Sequence, residues 1–282
     1  MIAFIGSVFS PYYHWSGRKN PLNHVAFNVA LYGPRGHAWA MTERGTRHLR
    51  RERRALEIGG SSICFDGSEL VLAFDEVFLP WPGQRWWPER MQGEIRLTPS
   101  ILADQAYRLD PSGRHIWQPV VPQGRVTVSS EMLPNGGWSG QGYHDMNYGN
   151  RPLEKDFEGW DWARGATEDG RAILVYDAVL ADKSRNRFGL LYAEDEVREI
   201  KLPARQRLAR GFWGVGGGVA CDEAADANLC GVYEDSPFYR RSLVKTEIGG
   251  ERLAMMHETL DCRRLANPLV RLMLPFRMPR RA

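Results

Sequence analysis

Three polar side chains alternate along residues 138–149, where polar and aromatic residues are densest. Tyr143, Asp145 and Asn147 occupy every second position, so in a β-strand a phenol, a carboxyl and an amide project to one face. His115 and Trp117 have the same spacing and would also share a face. A carboxyl among aromatic rings can act as a general acid, because burial disfavours its charged form. The residues alone also fit a structural role, since Asp and Asn near glycines often shape turns and aromatic residues often fill β cores.

Other catalytic and binding motifs do not fit this sequence. The glycines at 214 and 216–218 lack the spacing of a phosphate-binding loop, and neither a serine hydrolase elbow nor a zinc protease motif is present in the sequence. His115, His144 and Asp145 are of residue types that coordinate metal ions, but their spacing matches no known ligand set. We therefore predict neither a metal nor a cofactor.

Short runs of β-forming residues, separated by turn residues, extend along most of the chain and predict an all-β fold. Hairpin turns are expected at Asp66-Gly67, Asp169-Gly170 and Gly249-Gly250, because such turns need residues that accept positive φ. The predicted strands cover residues 1–9, 24–32, 62–65, 70–74, 91–97, 125–128, 172–178, 188–192, 197–202, 242–248 and 252–257. Two short helices are predicted over residues 47–56 and 222–229.

Composition and charge exclude several classes of protein. The 282 residues are 43% hydrophobic and 25% charged, as in a folded globular protein, and the net charge of +3 is too small to indicate nucleic-acid binding. No apolar run reaches the roughly 20 residues that span a bilayer. The four cysteines lack the spacing of a disulfide scaffold, and the N-terminus lacks the features of a signal peptide. A cytoplasmic protein is expected.

The C-terminal segment, residues 263–282, contains six arginines and no acidic residue, interleaved with large apolar residues. A basic and apolar segment of this kind can lie on an anionic membrane surface. It can equally pack onto its own domain. The sequence therefore allows either a free protein or one held peripherally on the inner or photosynthetic membrane.

Several segments resemble bacterial carotenoid 1,2-hydratases. They are GSVFSPYY at 6–13, NVALY at 28–32, MTERG at 41–45, GRHIWQP at 113–119, WSGQGYHDMNYG at 138–149 and FEGWDWAR at 157–164. A looser likeness continues through 211–218 and 239–241 into the C-terminal segment. The resemblance therefore extends over nearly the whole chain.

This resemblance implies two lipocalin-like β-barrel domains and the hydration of the terminal C1–C2 double bond of acyclic carotenoids such as neurosporene and lycopene. The boundary is expected in the glycine- and tryptophan-rich region 149–170, because strands resume after it. The domains would then span residues 1–158 and 159–282. The family's H-x-W and Y-x-D motifs correspond to His115, Trp117, Tyr143 and Asp145, all in the first domain.

The side chains of these motifs suit that reaction. A neutral Asp145 would protonate C2, and the rings of Trp117 and Tyr143 would stabilise the cation at C1 by roughly 0.5–2 kcal/mol each. His115 or the ionised Asp145 would accept the proton of the attacking water. The polyene would be bound by Trp138, Asn147, Trp160 and Trp162.

Three alternatives remain open. A terpenoid cyclase could use the same acid, and its product would have the substrate's mass. A glycosidase would need a second carboxyl, for which Asp161 and Asp177 are candidates. A carotenoid carrier would bind pigment without turnover. The preferred carotenoid, hydration at one or both ends and the oligomeric state also stay open.

Overall fold

The structure is a computed structural model that describes residues 1–33, 37–80, 86–194 and 196–281. Strands make up 55% of the residues and helices 12%, which confirms the all-β prediction. Residue 282 of the predicted C-terminal segment lies outside the described residues.

Most of the strands are short, and four of them exceed ten residues. The strands are β1 (Ile2–Ile5), β2 (Val25–Leu31), β3 (Ala38–Met41), β4 (Glu43–Arg44), β5 (Leu49–Arg51), β6 (Ala55–Ile58), β7 (Ser61–Phe65), β8 (Leu70–Phe78), β9 (Glu89–Ile101), β10 (Tyr107–Arg108), β11 (His115–Ser129), β12 (Gly137–Gly149), β13 (Phe157–Ala166), β14 (Ala172–Leu180), β15 (Arg185–Tyr192), β16 (Val197–Ile200), β17 (Arg205–Arg207), β18 (Gly218–Ala220), β19 (Asn228–Asp235), β20 (Tyr239–Ile248), β21 (Glu251–Asp261) and β22 (Arg280–Arg281).

The helices are short and lie between strands or near the C-terminus. They are α1 (Pro11–Trp15), α2 (Leu153–Asp156), α3 (Cys262–Ala266) and α4 (Pro268–Met273), with single 3₁₀ turns at Pro21–Asn23, Thr46–His48, Pro134–Gly136 and Leu274–Phe276. Within the described ranges, no helix is both long enough and apolar enough to cross a bilayer.

The chain forms two compact units whose segments alternate along the sequence. Unit 1 comprises Met1–Pro99, Arg125–Gly142 and the described residues from Arg271 onward, and unit 2 comprises Ser100–Gly124 and Tyr143–Val270. Both motifs singled out in the sequence lie in unit 2. A domain boundary after residue 158 stays a prediction.

Unit 1 is built on a five-stranded sheet and on most of an eight-stranded sheet. The first has the order β1-β2-β4-β22, with β3 also paired to β2, and the second has the order β10-β11-β9-β8-β7-β6-β5, with β12 also paired to β11. The core of this unit includes Phe27, Ile58, Phe74 and Met91. Ile58, Phe74 and Met91 alternate with more exposed neighbours, as expected for strands with one face in the core, whereas both neighbours of Phe27 on β2 are also buried.

Unit 2 contains a seven-stranded antiparallel sheet with the order β16-β15-β14-β13-β21-β20-β19, and the separate hairpin β17-β18. One face of the sheet forms a hydrophobic core with this hairpin. That core includes Val175, Leu191, Val219, Val244 and Met255. Strand β13 lies at the centre of the sheet, between β14 and β21.

The three predicted hairpins are confirmed. Strands β7 and β8, β13 and β14, and β20 and β21 pair antiparallel on either side of the predicted turns. At the last turn Gly249 and Gly250 have φ values of 61° and 82°, which favour glycine. Every predicted strand overlaps an observed one, although the N-terminal strand ends at Ile5.

The helix predicted over residues 47–56 is wrong. After a 3₁₀ turn, this region forms the antiparallel pair β5-β6, in which Leu49 lies opposite Ile58. The hairpin directs Leu49, Leu56 and Ile58 to the core of unit 1. A helix here would have no continuous apolar stripe to bury.

The helix predicted over residues 222–229 is also wrong. Asp222 begins a turn, and strand β19 starts at Asn228. The Asp222 carboxylate accepts hydrogen bonds from the backbone N–H groups of Gly249 and Gly250, at 3.0 and 2.8 Å. This residue therefore stabilises the β20-β21 turn, a long-range role that local propensity does not reveal.

Candidate active site

A partly buried hydrogen bond joins the two sequence motifs. The Trp117 indole on β11 is fully buried, with 0% exposure, and its Nε1–H donates to Oδ2 of Asp145 on β12, at 2.8 Å. The two strands are neighbours in the eight-stranded sheet. Strand pairing thus brings together residues that are 28 positions apart in the sequence.

The Asp145 carboxyl has a raised pKa, which favours its neutral form. Burial raises the pKa of its carboxyl to about 6, although the hydrogen bond from Trp117 and the nearby Tyr143 hydroxyl act in the opposite direction. The negative charge of Glu258 adds to the rise. With this pKa, about one carboxyl in ten is protonated at pH 7, and this neutral form can act as a general acid.

Tyr143 lies beside Asp145 in unit 2. Burial and the Asp145 charge raise the pKa of its phenol well above the ordinary value, so the hydroxyl stays protonated. That hydroxyl is shielded from solvent and makes no hydrogen bond of standard geometry with the described residues. It nevertheless lies near enough to Asp145 to influence the carboxyl's pKa. The Tyr143 ring packs 5.3 Å from the Trp162 ring.

An aromatic layer extends from Trp117 across the seven-stranded sheet. The Trp117 ring centroid is 5.4 Å from that of Tyr176 and 6.0 Å from that of Phe188. Trp160 packs 6.1 Å from Tyr176 and Tyr107 lies 5.8 Å from Trp117. These rings exclude water from the surroundings of Asp145, the physical cause of its raised pKa.

His115 has a different set of partners. Its Nε2 lies 2.9 Å from Oδ2 of Asp156, and its ring meets Phe157 edge-on at 4.9 Å. Asp156 is also paired with Arg114 and Arg151, at 3.3 and 3.2 Å. Among the polar contacts of the described residues, none joins His115 to Asp145.

The four expected substrate-binding residues differ in their environments. Trp162 is 9% exposed and touches Tyr143, and Trp160 is partly buried against Tyr176. Asn147 is exposed. Trp138 is 50% exposed and belongs to unit 1. Of the four, Trp160 and Trp162 therefore belong to the aromatic layer that includes Trp117 and Tyr143.

The two carboxyls considered for a glycosidase point away from Asp145's aromatic layer. Asp161 alternates with Trp160 and Trp162 on β13 and thus projects to the opposite face of the sheet. Its burial is outweighed by hydrogen bonds from His257 and Arg205, which lower its pKa below the ordinary value. Asp177 lies 3.0 Å from Arg185. Neither carboxyl has the environment of a second catalytic acid beside Asp145.

Several residues of this site carry no recognisable signal in the sequence. Tyr107, Tyr176 and Phe188 lie on different strands and meet only through strand pairing and sheet packing. Arg164 is buried over the Tyr143 ring, 5.9 Å from its centroid. In the sequence, only the position of Arg164, two residues after Trp162 and four after Trp160, indicates that these three side chains share a face.

Two known proteins similar to this chain carry the same description. Acyclic carotenoid 1,2-hydratase of Thiocapsa roseopersicina is 43% identical over 285 residues, covering 99% of this chain and 68% of that protein. The protein of the same description from Cereibacter sphaeroides is 40% identical over 284 residues, covering 100% of this chain and 98% of that protein.

A solved structure shows the same kind of fold. Kievitone hydratase from Nectria haematococca, which is lipocalin-like, aligns with a TM-score of 0.51 at 10% identity, covering 84% of this chain and 80% of that one. At this identity the likeness concerns the fold alone. The family model described as carotenoid hydratase CrtC matches residues 1–282, and the chain therefore belongs to the carotenoid hydratase CrtC family.

Proposed function

We propose that the protein adds water across the terminal C1–C2 double bond of an acyclic carotenoid such as neurosporene or lycopene. Family membership and the names of the relatives support this class of reaction. The observation that carries the mechanism is the partly buried Asp145 carboxyl, which accepts a hydrogen bond from the Trp117 N–H and whose pKa is raised to about 6 by desolvation.

Protonation of the alkene is the first step. An isolated alkene is a weak base, so the acid must be neutral, positioned and shielded from water. Oδ2 of Asp145 accepts the hydrogen bond from Trp117, which favours the proton on Oδ1. This proton forms the new C2–H bond with the π electrons of the alkene, and Asp145 becomes a carboxylate.

The resulting positive charge at C1 needs stabilisation until water arrives. Trp117 and Tyr143 carry polar groups that lie at Asp145, and the face of each ring can contribute roughly 0.5–2 kcal/mol to a cation in a desolvated site. The remaining rings of the layer, together with aliphatic surface, supply apolar area for the polyene.

Water attack completes the reaction. A lone pair of the water oxygen forms the C1–O bond, and the Asp145 carboxylate takes the released proton, which restores the acid. The alkene and water account for every atom of the product, so neither a redox cofactor nor a metal is required. We assign His115, which is bonded to Asp156, a positioning role and Asp145 the role of general base.

The test is incubation of the purified protein with lycopene in liposomes, in H2O and in D2O, followed by mass analysis. We expect a product heavier than lycopene by one water, with deuterium at C2 in D2O. Asp145→Asn should abolish product formation. The exposed carboxyl of Asp104, in the same unit, provides the control Asp104→Asn.

Three results would contradict the proposal. A folded Asp145→Asn variant that hydrates lycopene at the wild-type rate would remove Asp145 from the mechanism. A product with the mass of lycopene would indicate a cyclase. Pigment bound without turnover would indicate a carrier.

We also propose that the protein is cytoplasmic and reaches its substrate at a membrane surface through the segment around α4. Leu269 is 70% exposed and Phe276 82%, while Leu272 and Met273 are exposed as well. The exposed Arg263 lies close to them in sequence. Exposed apolar residues beside arginines suit binding to an anionic bilayer.

A further inference from the structure

Two buried hydrogen-bond donors of the candidate site make no hydrogen bond of standard geometry with any described residue. They are the Tyr143 hydroxyl and the Trp162 Nε1–H, and in the part of the chain that the structure describes neither has a hydrogen-bond partner. Their rings are neighbours, with centroids 5.3 Å apart and planes tilted by 40°. Buried polar groups are nearly always hydrogen-bonded, because an unsatisfied group forfeits its hydration.

The chemistry of the proposed reaction limits what can satisfy these donors. Acyclic carotenes such as lycopene are hydrocarbons and offer no hydrogen-bond acceptor. The second reactant, water, offers two lone pairs and two protons. From these observations, which rest on the proposed function, we infer that Tyr143 and Trp162 together hold the attacking water molecule.

The two groups have complementary hydrogen-bonding capacities. The indole N–H of Trp162 can only donate, so it occupies one lone pair of the water oxygen. The Tyr143 hydroxyl can also accept, so it can receive a water proton. The second lone pair of the water oxygen stays available for C1. The pair thus orients the water as a nucleophile, whereas a second obligatory donor would block it.

The charges around Tyr143 favour the same arrangement. The Arg164 guanidinium lies 5.9 Å from the Tyr143 ring centroid and is buried. Its hydrogen bonds go to neutral oxygens, the Gln123 side chain and the Pro122 carbonyl. Burial lowers its pKa to about 10, which leaves it charged at neutral pH. This guanidinium attracts the partly negative oxygen of a water molecule held beside the Tyr143 hydroxyl.

Trp117 and Trp162 present different groups to the site. The N–H of Trp117 is already committed to Asp145, so its ring can face the cation but its donor cannot hold water. Trp162 has the opposite properties, since its N–H is unpaired and its ring packs against Tyr143. The two tryptophans therefore have different roles, with Trp117 orienting the acid and Trp162 positioning the water.

The test separates protonation from water capture. In D2O, a protonated substrate that fails to capture water can lose a proton and return as alkene, which carries deuterium. Trp162→Phe removes the N–H and keeps a ring. We expect it to lower the hydration rate about tenfold, the effect of one lost hydrogen bond to a reactant, while deuterium continues to enter the recovered lycopene. Tyr143→Phe is expected to act in the same direction.

The control is Trp213→Phe, a partly buried tryptophan of unit 2 outside the site, which should behave as wild type. Unchanged hydration in Trp162→Phe would overturn the inference. An equal loss of hydration and deuterium exchange would also overturn it, because Trp162 would then support the acid or the fold. Wild-type protein without hydration or exchange is a distinct result, since it removes the proposed function itself.

Discussion

Asp145 shows how strongly its neighbours determine the chemistry of one side chain. An exposed aspartate is ionised near neutral pH and cannot protonate an alkene. Burial among aromatic rings raises its pKa to about 6, and the Trp117 N–H limits that rise. The environment of this carboxyl is therefore a compromise between desolvation, which favours its neutral form, and hydrogen bonding, which orients it.

The first prediction at the residue scale concerns pH. Only the protonated form of Asp145 can act, so kcat/KM should be highest below the carboxyl's pKa of about 6. Above that value it should fall about tenfold for each pH unit. The measurement is the initial hydration rate between pH 5 and about 8 at low substrate concentration. A rate that increases through this range would contradict the role of Asp145 as the acid.

The second prediction concerns the hydrogen bond from Trp117. Trp117→Phe removes the N–H that lowers the carboxyl's pKa, so the midpoint of the pH profile should move to higher pH. The rate at low pH should also fall, because the acid is less well oriented. The pH profile of the variant tests this, with Trp213→Phe as control. An unchanged midpoint would mean that Trp117 acts through packing alone.

The third prediction concerns stability. Folding raises the pKa of the Asp145 carboxyl from about 4 in the unfolded chain to about 6. The neutral carboxyl therefore makes its full contribution to the free energy of unfolding below about pH 4, and this contribution is lost as the pH rises through about 6. Asp145→Asn has no charge to acquire. Between about pH 4 and 8 the wild type should therefore lose on the order of 2 kcal/mol relative to the variant, a value reduced for partial exposure.

Urea unfolding of both proteins at several pH values measures this difference. Asp104→Asn, which changes an exposed carboxyl, should remain parallel to wild type. If the free energies of unfolding of wild type and Asp145→Asn also change in parallel with pH, Asp145 is not desolvated in the folded protein.

At the scale of elements, β13 has different roles on its two faces. Trp160, Trp162 and Arg164 project to the aromatic layer, while Asp161 projects to the other face. There Asp161 pairs with Arg205 at 2.6 Å and accepts hydrogen bonds from Thr259 at 2.7 Å and from the Gly218 backbone at 3.2 Å. One face of β13 therefore supports the site, and the other face binds the hairpin β17-β18 through Asp161.

The fourth prediction tests that attachment at Gly217. A Cβ at this position would overlap the Thr259 hydroxyl and lie 2.8 Å from Oδ1 of Asp161. Gly217→Ala should therefore lower the free energy of unfolding by about 1–3 kcal/mol, the usual cost of overpacking. Gly231 on β19 has open space around its Cα, so Gly231→Ala is the control. Equal urea midpoints for the two variants would contradict the close packing.

At the scale of the whole molecule, the C-terminal segment has a packed end and an exposed part around α4. Its end is held in unit 1, since β22 pairs with β4, Arg280 is bonded to Glu43 and Met278 is buried. The part around α4 instead exposes Leu269 and Phe276. The packed end contributes to folding, and truncation of the whole segment would damage unit 1.

The fifth prediction concerns membrane binding by the exposed part. Replacement of Leu269 and Phe276 by Ser removes apolar area that the folded chain does not bury, so binding to vesicles containing an anionic lipid should weaken about tenfold or more. Sedimentation with vesicles measures the binding, and the far-UV spectrum checks the fold. Val197→Ser, also at an exposed apolar residue, is the control. Binding equal to wild type would locate membrane contact elsewhere.

The sequence by itself determined the all-β class, the positions of 11 of the 22 strands in the described residues and three hairpin turns. These features depend on local patterns, namely period-two alternation and residues that accept positive φ. It also identified Asp145, Tyr143, Trp117 and His115 through family resemblance. The two incorrect helices lie where long-range contacts, burial of Leu49 and Leu56 in a core and capping of a distant turn by Asp222, outweigh local propensity.

Only the tertiary structure decided how those residues are connected. In the structure Trp117 is bonded to Asp145 and His115 to Asp156. The sequence of the H-x-W motif does not predict that its two residues have different partners. The tertiary structure also brought Trp162 and Arg164 to Tyr143. The physical reason is that a carboxyl's pKa and a donor's lack of an acceptor depend on atoms from several strands, whose pairing and packing no single segment encodes.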